Sequence, residues 1–178
     1  MSDSILYFAY GSNLNQDDLE DWKRGNRNHA HVDLKLTKVC IGYLPGYRLG
    51  FTRKSKSKRR GFMGVADIVP SDDPMSKVWG VIFSLTPTQD RAIADKEGAP
   101  RSYTPMAVGV TDIHGVKQCC LTYQAVVEGG KSRKVTHFDP HEDYIKVIHL
   151  GGEQHQLPQE FFEHLKAKSC GCVDEWPQ

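Results

Sequence analysis

The sequence predicts an α+β fold, a mixed sheet or small barrel with short helices packed outside it. At least six segments read as strands and three or four as short helices. The strands come before or between the helices without a regular βαβ alternation, which argues against a doubly wound sheet. No internal repeat or linker interrupts the 178 residues. Residues 1–169 therefore read as a single domain and residues 170–178 as a loose C-terminal tail.

Ile5 to Ala9 is a short aliphatic and aromatic run with strand character. Asn15 is the expected cap of a helix whose first turn holds Asp17 and Asp18. Leu19 and Trp22 give that helix an apolar side, Lys23 and Arg24 suit its C-terminus, and Gly25 is a natural stop. Asn26 to His31 reads as loop. Val39 to Leu44 and Tyr47 to Phe51 read as strands around Pro45-Gly46. Phe62 to Val69 and Val78 to Leu85 follow, the latter an apolar run suited to a buried strand. Thr86, Pro87 and Gln89 form a capping-box signature for a helix ending near Lys96. Tyr103 to Thr111 and Lys117 to Val126 make a hairpin around His114-Gly115. Asp139 to Tyr144 leads into Ile145-Lys146-Val147-Ile148, and a last helix runs from Pro158 through Leu165.

Composition narrows the function classes. A net charge of +1 predicts no general attraction to polyanions. No apolar run is long enough to span a bilayer and no signal-peptide core is present, which favours a soluble, cytoplasmic protein. The five cysteines, Cys40, Cys119, Cys120, Cys170 and Cys172, are odd in number and irregular in spacing, so no disulfide framework is expected. Cys170-Gly171-Cys172 could bind a metal or make a redox pair, but with one close pair and no second at zinc-finger spacing it reads rather as incidental thiols; the eight scattered histidines form no metal motif, and no metal or cofactor is expected. Arg53 to Arg60 carries six basic residues in eight, without interleaved aromatics, and reads as a solvated hairpin loop rather than a nucleic-acid patch.

Two stretches bear on chemistry. Tyr10-Gly11-Ser12-Asn13-Leu14 is a tight turn between a strand end and a helix start. Gly11 allows a positive φ and a close approach to the backbone, and successive N–H groups there can converge on a carboxylate or oxyanion. No Gly-Lys-Ser/Thr follows and the three-glycine dinucleotide fingerprint is missing, so phosphate binding has little support. An ordinary connection that binds nothing has the same composition. Glu97 lies just past a capped helix, against Gly98-Ala99-Pro100. A helix C-terminus is electrostatically poor for an anion, and burial would raise the pKa of the carboxyl group further. So placed, it is a candidate general acid or base, although a surface acid at a helix end looks the same in sequence.

The run Tyr7-Phe8-Ala9-Tyr10-Gly11-Ser12-Asn13-Leu14 resembles the signature of the γ-glutamylcyclotransferase family, with its AIG2-like fold. Val78-Trp79-Gly80-Val81 is similar to the family's central strand, and Asp95-Lys96-Glu97-Gly98 to the segment carrying its catalytic Glu. Pro140 through Ile148 and Leu157 through Ala167 resemble its C-terminal section. The resemblance implies a small mixed β-barrel flanked by short helices. It also implies cyclisation of a γ-glutamyl amino acid, peptide or amine to 5-oxoproline, with release of the amine. Glu97 matches the general acid/base, the Tyr7–Ser12 backbone the substrate loop, and Tyr144 a tyrosine lining the site. Ser12 and Asn13 are expected to shape the loop. The basic run and the cysteine tail depart from the pattern, and Arg101-Ser102-Tyr103 leaves the leaving-group side open to a different substrate. The implied partner is a small γ-glutamyl compound, and a homodimer is compatible with the sequence. A non-catalytic small-molecule binding module on the same fold is the alternative.

Overall fold

A computed structural model describes residues 4–55, 63–126 and 136–169. Seven strands and four α-helices are arranged as β1 (Ile5–Ala9), α1 (Gln16–Arg24), β2 (Thr37–Pro45), β3 (Tyr47–Lys54), β4 (Gly64–Pro70), β5 (Lys77–Leu85), α2 (Pro87–Glu97), β6 (Tyr103–Asp112), β7 (Lys117–Ala125), α3 (Glu142–Gln154) and α4 (Gln159–Ser169). One-turn 3-10 helices occupy Ser12–Leu14 and Arg27–His29. The second falls within the stretch read as loop, where Asn26 accepts the Asn28 N–H. Most of the basic run, Phe62 and the tail with Cys170 and Cys172 lie outside the described residues.

Five strands close a barrel in the order β1-β5-β2-β6-β7. All neighbours pair antiparallel except β1 with β7, which meet in parallel at Tyr7 and Leu121. The barrel is therefore mixed, as expected. β3 and β4 form a separate antiparallel pair that is tied to β7. Gln124 donates to the Ile68 carbonyl at 2.9 Å and the Ala125 N–H donates to the Asp67 carboxylate at 2.8 Å. Thr52 also donates to Asp67, which is fully buried. Phe8, Val81, Ile82 and Val110 fill the interior with 0% exposure.

Gly80 is a necessity of this packing. A Cβ there would lie 2.2 Å from the Ala9 carbonyl oxygen and 2.8 Å from the Phe8 ring. Gly80→Ala is expected to destabilise the fold by about 3 kcal/mol, at the upper end for overpacking, because the obstructing atom is backbone. Urea unfolding checks this.

Ile145–Ile148, left unassigned from the sequence, belong to α3. The helix is capped by His141, whose ring accepts the Asp143 N–H. Gly151 brings α3 against the chain's opening turn: a Cβ there would lie 2.7 Å from both the Asn15 nitrogen and the Leu14 Cβ. Asn15 donates to the Val147 carbonyl at 3.0 Å. Just past α3, the His155 Nε2 hydrogen-bonds the Leu14 carbonyl, also at 3.0 Å, which requires an N–H at that nitrogen. Burial holds the His155 pKa below its usual value, opposed in part by the Leu14 contact. The folded state thus favours neutral imidazole, and the stability this confers is complete above the unfolded pKa of about 6.5. It is lost as pH falls below that value toward the lower folded pKa. The wild-type melting temperature is expected to drop more steeply between pH 7 and 5 than that of His155→Gln. Equal slopes in thermal melts would remove His155 as the cause.

Candidate active site

The N-terminal turn is built by local hydrogen bonding. The Asn15 side chain accepts the Asp17 and Asp18 N–H groups and caps α1. The Leu14 N–H donates to the Gly11 carbonyl at 3.0 Å, closing the 3-10 turn. Gly11 has φ −119°, so the left-handed backbone expected there is absent. Close approach explains the glycine instead: a Cβ would lie 3.2 Å from the Ala66 Cβ and 3.8 Å from the Tyr144 hydroxyl.

Helix α2 arrives from the other side. Thr86 and Gln89 form the expected capping box, and Gly98, at φ 63°, ends the helix in a left-handed cap. Glu97 is the last residue of α2 rather than a residue beyond it. The two caps fix the helical phase and turn Glu97 toward the opening turn. Its Oε1 accepts a hydrogen bond of 2.6 Å from Asn13 Nδ2, across 84 residues of sequence.

Asn13 does more than shape a loop. Its Nδ2 also donates to the Tyr7 hydroxyl at 2.8 Å, and its Oδ1 accepts from Lys96 Nζ at 2.7 Å. An ammonium can only donate, so Lys96 fixes which end of the amide faces Glu97. Lys96 is itself paired with Asp18 at 3.0 Å, and the two side chains are 5% and 4% exposed.

These residues line a cavity of about 420 Å³, within the usual size of small-molecule sites. Tyr7, Tyr10, Gly11, Ser12, Asn13, Glu97 and Tyr144 all face it. Phe8 and Ala9 do not: they are buried among the core residues of β1 and are not part of the lining. Sequence reasoning missed Asp18, Trp22, Arg53, Ser55, Val65, Ala66, Lys96, Gly98, Ser102, Tyr103 and Tyr123. Inward tyrosines on paired strands were the available signal for two of them, since a buried phenol needs somewhere to put its hydroxyl.

Three of the phenols are anchored. Tyr10 donates to the Tyr123 carbonyl at 2.6 Å and Tyr103 to the Ala66 carbonyl at 2.7 Å, while Tyr144 accepts the Ala66 N–H at 3.1 Å. Tyr7 instead accepts from Asn13, which leaves its own O–H hydrogen for another acceptor. Burial, then the charge of Glu97, pushes the Tyr7 pKa well above its ordinary value. Tyr10, Tyr103 and Tyr123 are raised too, chiefly by burial, and Glu97 contributes to each. All four stay protonated at neutral pH. The site thus combines a half-buried carboxylate, neutral phenols and a fixed amide. Such a set can move protons and hold a polar substrate without an enzyme nucleophile.

Among the described residues, no group of three or more His, Cys, Asp or Glu could hold a metal ion. Likewise, no described helix is long and apolar enough to cross a membrane. Cys40, Cys119 and Cys120 are free thiols.

The barrel and its tyrosine-lined cavity place the protein among known folds. A family model described as the AIG2-like family matches residues 77–165, half of the chain, and the chain belongs to that family. It is similar to the γ-glutamylcyclotransferase of Mus musculus, 29% identical over 170 residues, covering 93% of this chain and 79% of that one. The γ-glutamylcyclotransferase of Homo sapiens is 28% identical with the same coverage. A solved γ-glutamyl cyclotransferase structure superposes with a TM-score of 0.75 at 24% identity, covering 99% of this chain and 94% of that chain. That likeness shows the fold.

Proposed function

We propose that the protein is a γ-glutamyl cyclotransferase that converts a γ-glutamyl amino acid, peptide or amine to 5-oxoproline and releases the amine. Glu97 is the general acid/base. The observation that carries this reading is the 2.6 Å contact between Glu97 and Asn13 at the cavity wall, which joins the one candidate carboxylate to the one candidate binding turn.

The chemistry fits the groups present. The turn from Tyr7 to Asn13 and the Tyr144 side hold the γ-glutamyl chain folded back, so that its α-amine faces its own γ-carbonyl. Positioning supplies much of the acceleration because the attack is intramolecular. Glu97 takes a proton from the α-ammonium, the nitrogen attacks the γ-carbonyl carbon, and a tetrahedral oxyanion forms. The Tyr7 O–H is a neutral donor for that charge. Glu97 gives its proton to the departing nitrogen, takes the second surplus proton from the ring nitrogen as the amide bond breaks, and passes it to the freed amine. Two protons leave one nitrogen and two reach the other, so none is consumed. Residues of this chain perform every step.

Incubation with a panel of γ-glutamyl amino acids, glutathione and γ-glutamylamines tests the proposal, with 5-oxoproline read by mass spectrometry. Formation of 5-oxoproline supports it. Binding without product would mark a sensor on the same fold. The cytoplasm and glutathione-linked metabolism belong to the same proposal.

A further inference from the structure

The cavity wall has an order. The opening turn leads through Asn13 to Glu97, then to Gly98 and Ser102: a Cβ on Gly98 would lie 2.9 Å from the Ser102 hydroxyl oxygen. Ser102 Oγ accepts a hydrogen bond of 2.8 Å from Arg53. Arg53 therefore reaches the cavity wall through Ser102, next to the Gly98 that follows the acid, whereas the turn meets the acid through Asn13.

A β-bulge puts it there. The β3–β4 register runs Phe51 opposite Ala66, then Arg53 opposite Val65, so Thr52 is the extra residue. Thr52 turns its hydroxyl to the buried Asp67 carboxylate. Bulges re-aim the side chains beside them, and Arg53 lines the cavity. Its guanidinium rests 5.7 Å from the centre of the Tyr103 ring.

The charges lining the cavity are Asp18, Lys96, Glu97 and Arg53. Lys96 is satisfied by Asp18 and Asn13. Arg53 differs: among the described residues its partners are a neutral hydroxyl and an aromatic ring, with no acid at ion-pair distance. A guanidinium held from two sides by neutral groups keeps N–H donors for a planar anion, and carboxylate is the anion its fork fits.

We propose that Arg53, aimed by the β3 bulge and steadied by Ser102, is the specificity residue for the leaving group, selecting γ-glutamyl compounds whose departing amine carries a carboxylate. The substrates are then γ-glutamyl amino acids or short peptides with a free carboxylate, and simple γ-glutamylamines are poor ones. This rests on the cyclotransferase reading for the word "leaving"; the carboxylate subsite itself does not.

Three compounds separate the possibilities: γ-glutamyl-alanine, the same compound amidated at the alanine carboxylate, and the same compound amidated at the glutamyl α-carboxylate. Wild-type kcat/KM is expected to favour the free acid over the alanine amide by about 10–100-fold, the range of a charged hydrogen bond. Arg53→Gln should collapse that ratio toward one while leaving the α-carboxylate ratio high. Arg53→Lys, which keeps charge without the fork, should fall between and guards against a folding defect. An unchanged alanine ratio in Arg53→Gln, or collapse of the α-carboxylate ratio instead, overturns the assignment. Calorimetry of the same compounds with Glu97→Gln reads the subsite without turnover. Arg53-dependent preference for the free acid supports the subsite even where no 5-oxoproline forms, and the failure then falls on the reaction alone. Equal binding of acid and amide overturns the subsite.

Discussion

Glu97→Gln is expected to lower kcat/KM for a γ-glutamyl substrate by about 10²–10⁴-fold, the range for loss of a positioned acid or base. The side chain stays nearly isosteric, and the left-handed Gly98 cap that ends α2 is untouched. Stability should therefore change little, which separates loss of chemistry from loss of fold. The variant amide could turn its carbonyl oxygen to Asn13 and keep that contact, but it could not take a proton from the α-ammonium. The expected pattern is a fall in kcat with substrate affinity largely kept, as for a group whose contribution is made in the transition state. Steady-state rates with unfolding curves check both parts.

The second large effect concerns the pair beneath Asn13. Lys96→Met leaves the Asp18 carboxylate buried at 4% exposure without its ammonium. Breaking such a buried pair from one side costs about 3–5 kcal/mol. Adding Asp18→Asn to Lys96→Met should recover a large part of the loss, because the buried negative charge is then gone. Activity should not recover with stability. Without the 2.7 Å contact from Lys96, the Asn13 carbonyl oxygen loses its donor and the amide that faces Glu97 is held less firmly. Chemical denaturation of the two variants, read beside their turnover rates, distinguishes the roles. Parallel recovery of both would make Lys96 purely structural.

Much of this arrangement was legible in the sequence wherever the cause is local. Strands with apolar or alternating runs, the Asn15 cap and the Thr86–Gln89 capping box depend on neighbours a few residues away, and they stand where those neighbours put them. The mixed character of the barrel followed from strand and helix order. Its closure by β1 against β7 did not, because no local signal encodes a pairing between Tyr7 and Leu121. Helix α3 was hidden by its glycines: Gly151 and Gly152 look like helix breakers, yet they are there so that α3 can touch Leu14, Asn15 and Phe161.

The site shows the same division. Glu97 and the Tyr7–Asn13 stretch were visible by residue type and by family likeness, and their meeting was not. Gly11 was marked as a point where a ligand could approach the backbone; it is Ala66 and Tyr144 that stand close there, and its φ of −119° is not left-handed. Arg53 was submerged in the basic run, because charge patterning carries no trace of a bulge at the preceding residue. Asn13 was undervalued for a similar reason. An amide is common in turns, and its three partners come from β1 and the end of α2.

One measurement reaches the central claim most directly. A γ-glutamyl amino acid carrying heavy nitrogen at its α-amine is incubated with the wild type and with Glu97→Gln, and products are resolved by mass spectrometry. The proton-relay account predicts heavy 5-oxoproline and an unlabelled amino acid from the wild type, with product near background from the variant. Heavy glutamate in place of 5-oxoproline, or equal yields from the two proteins, would contradict it.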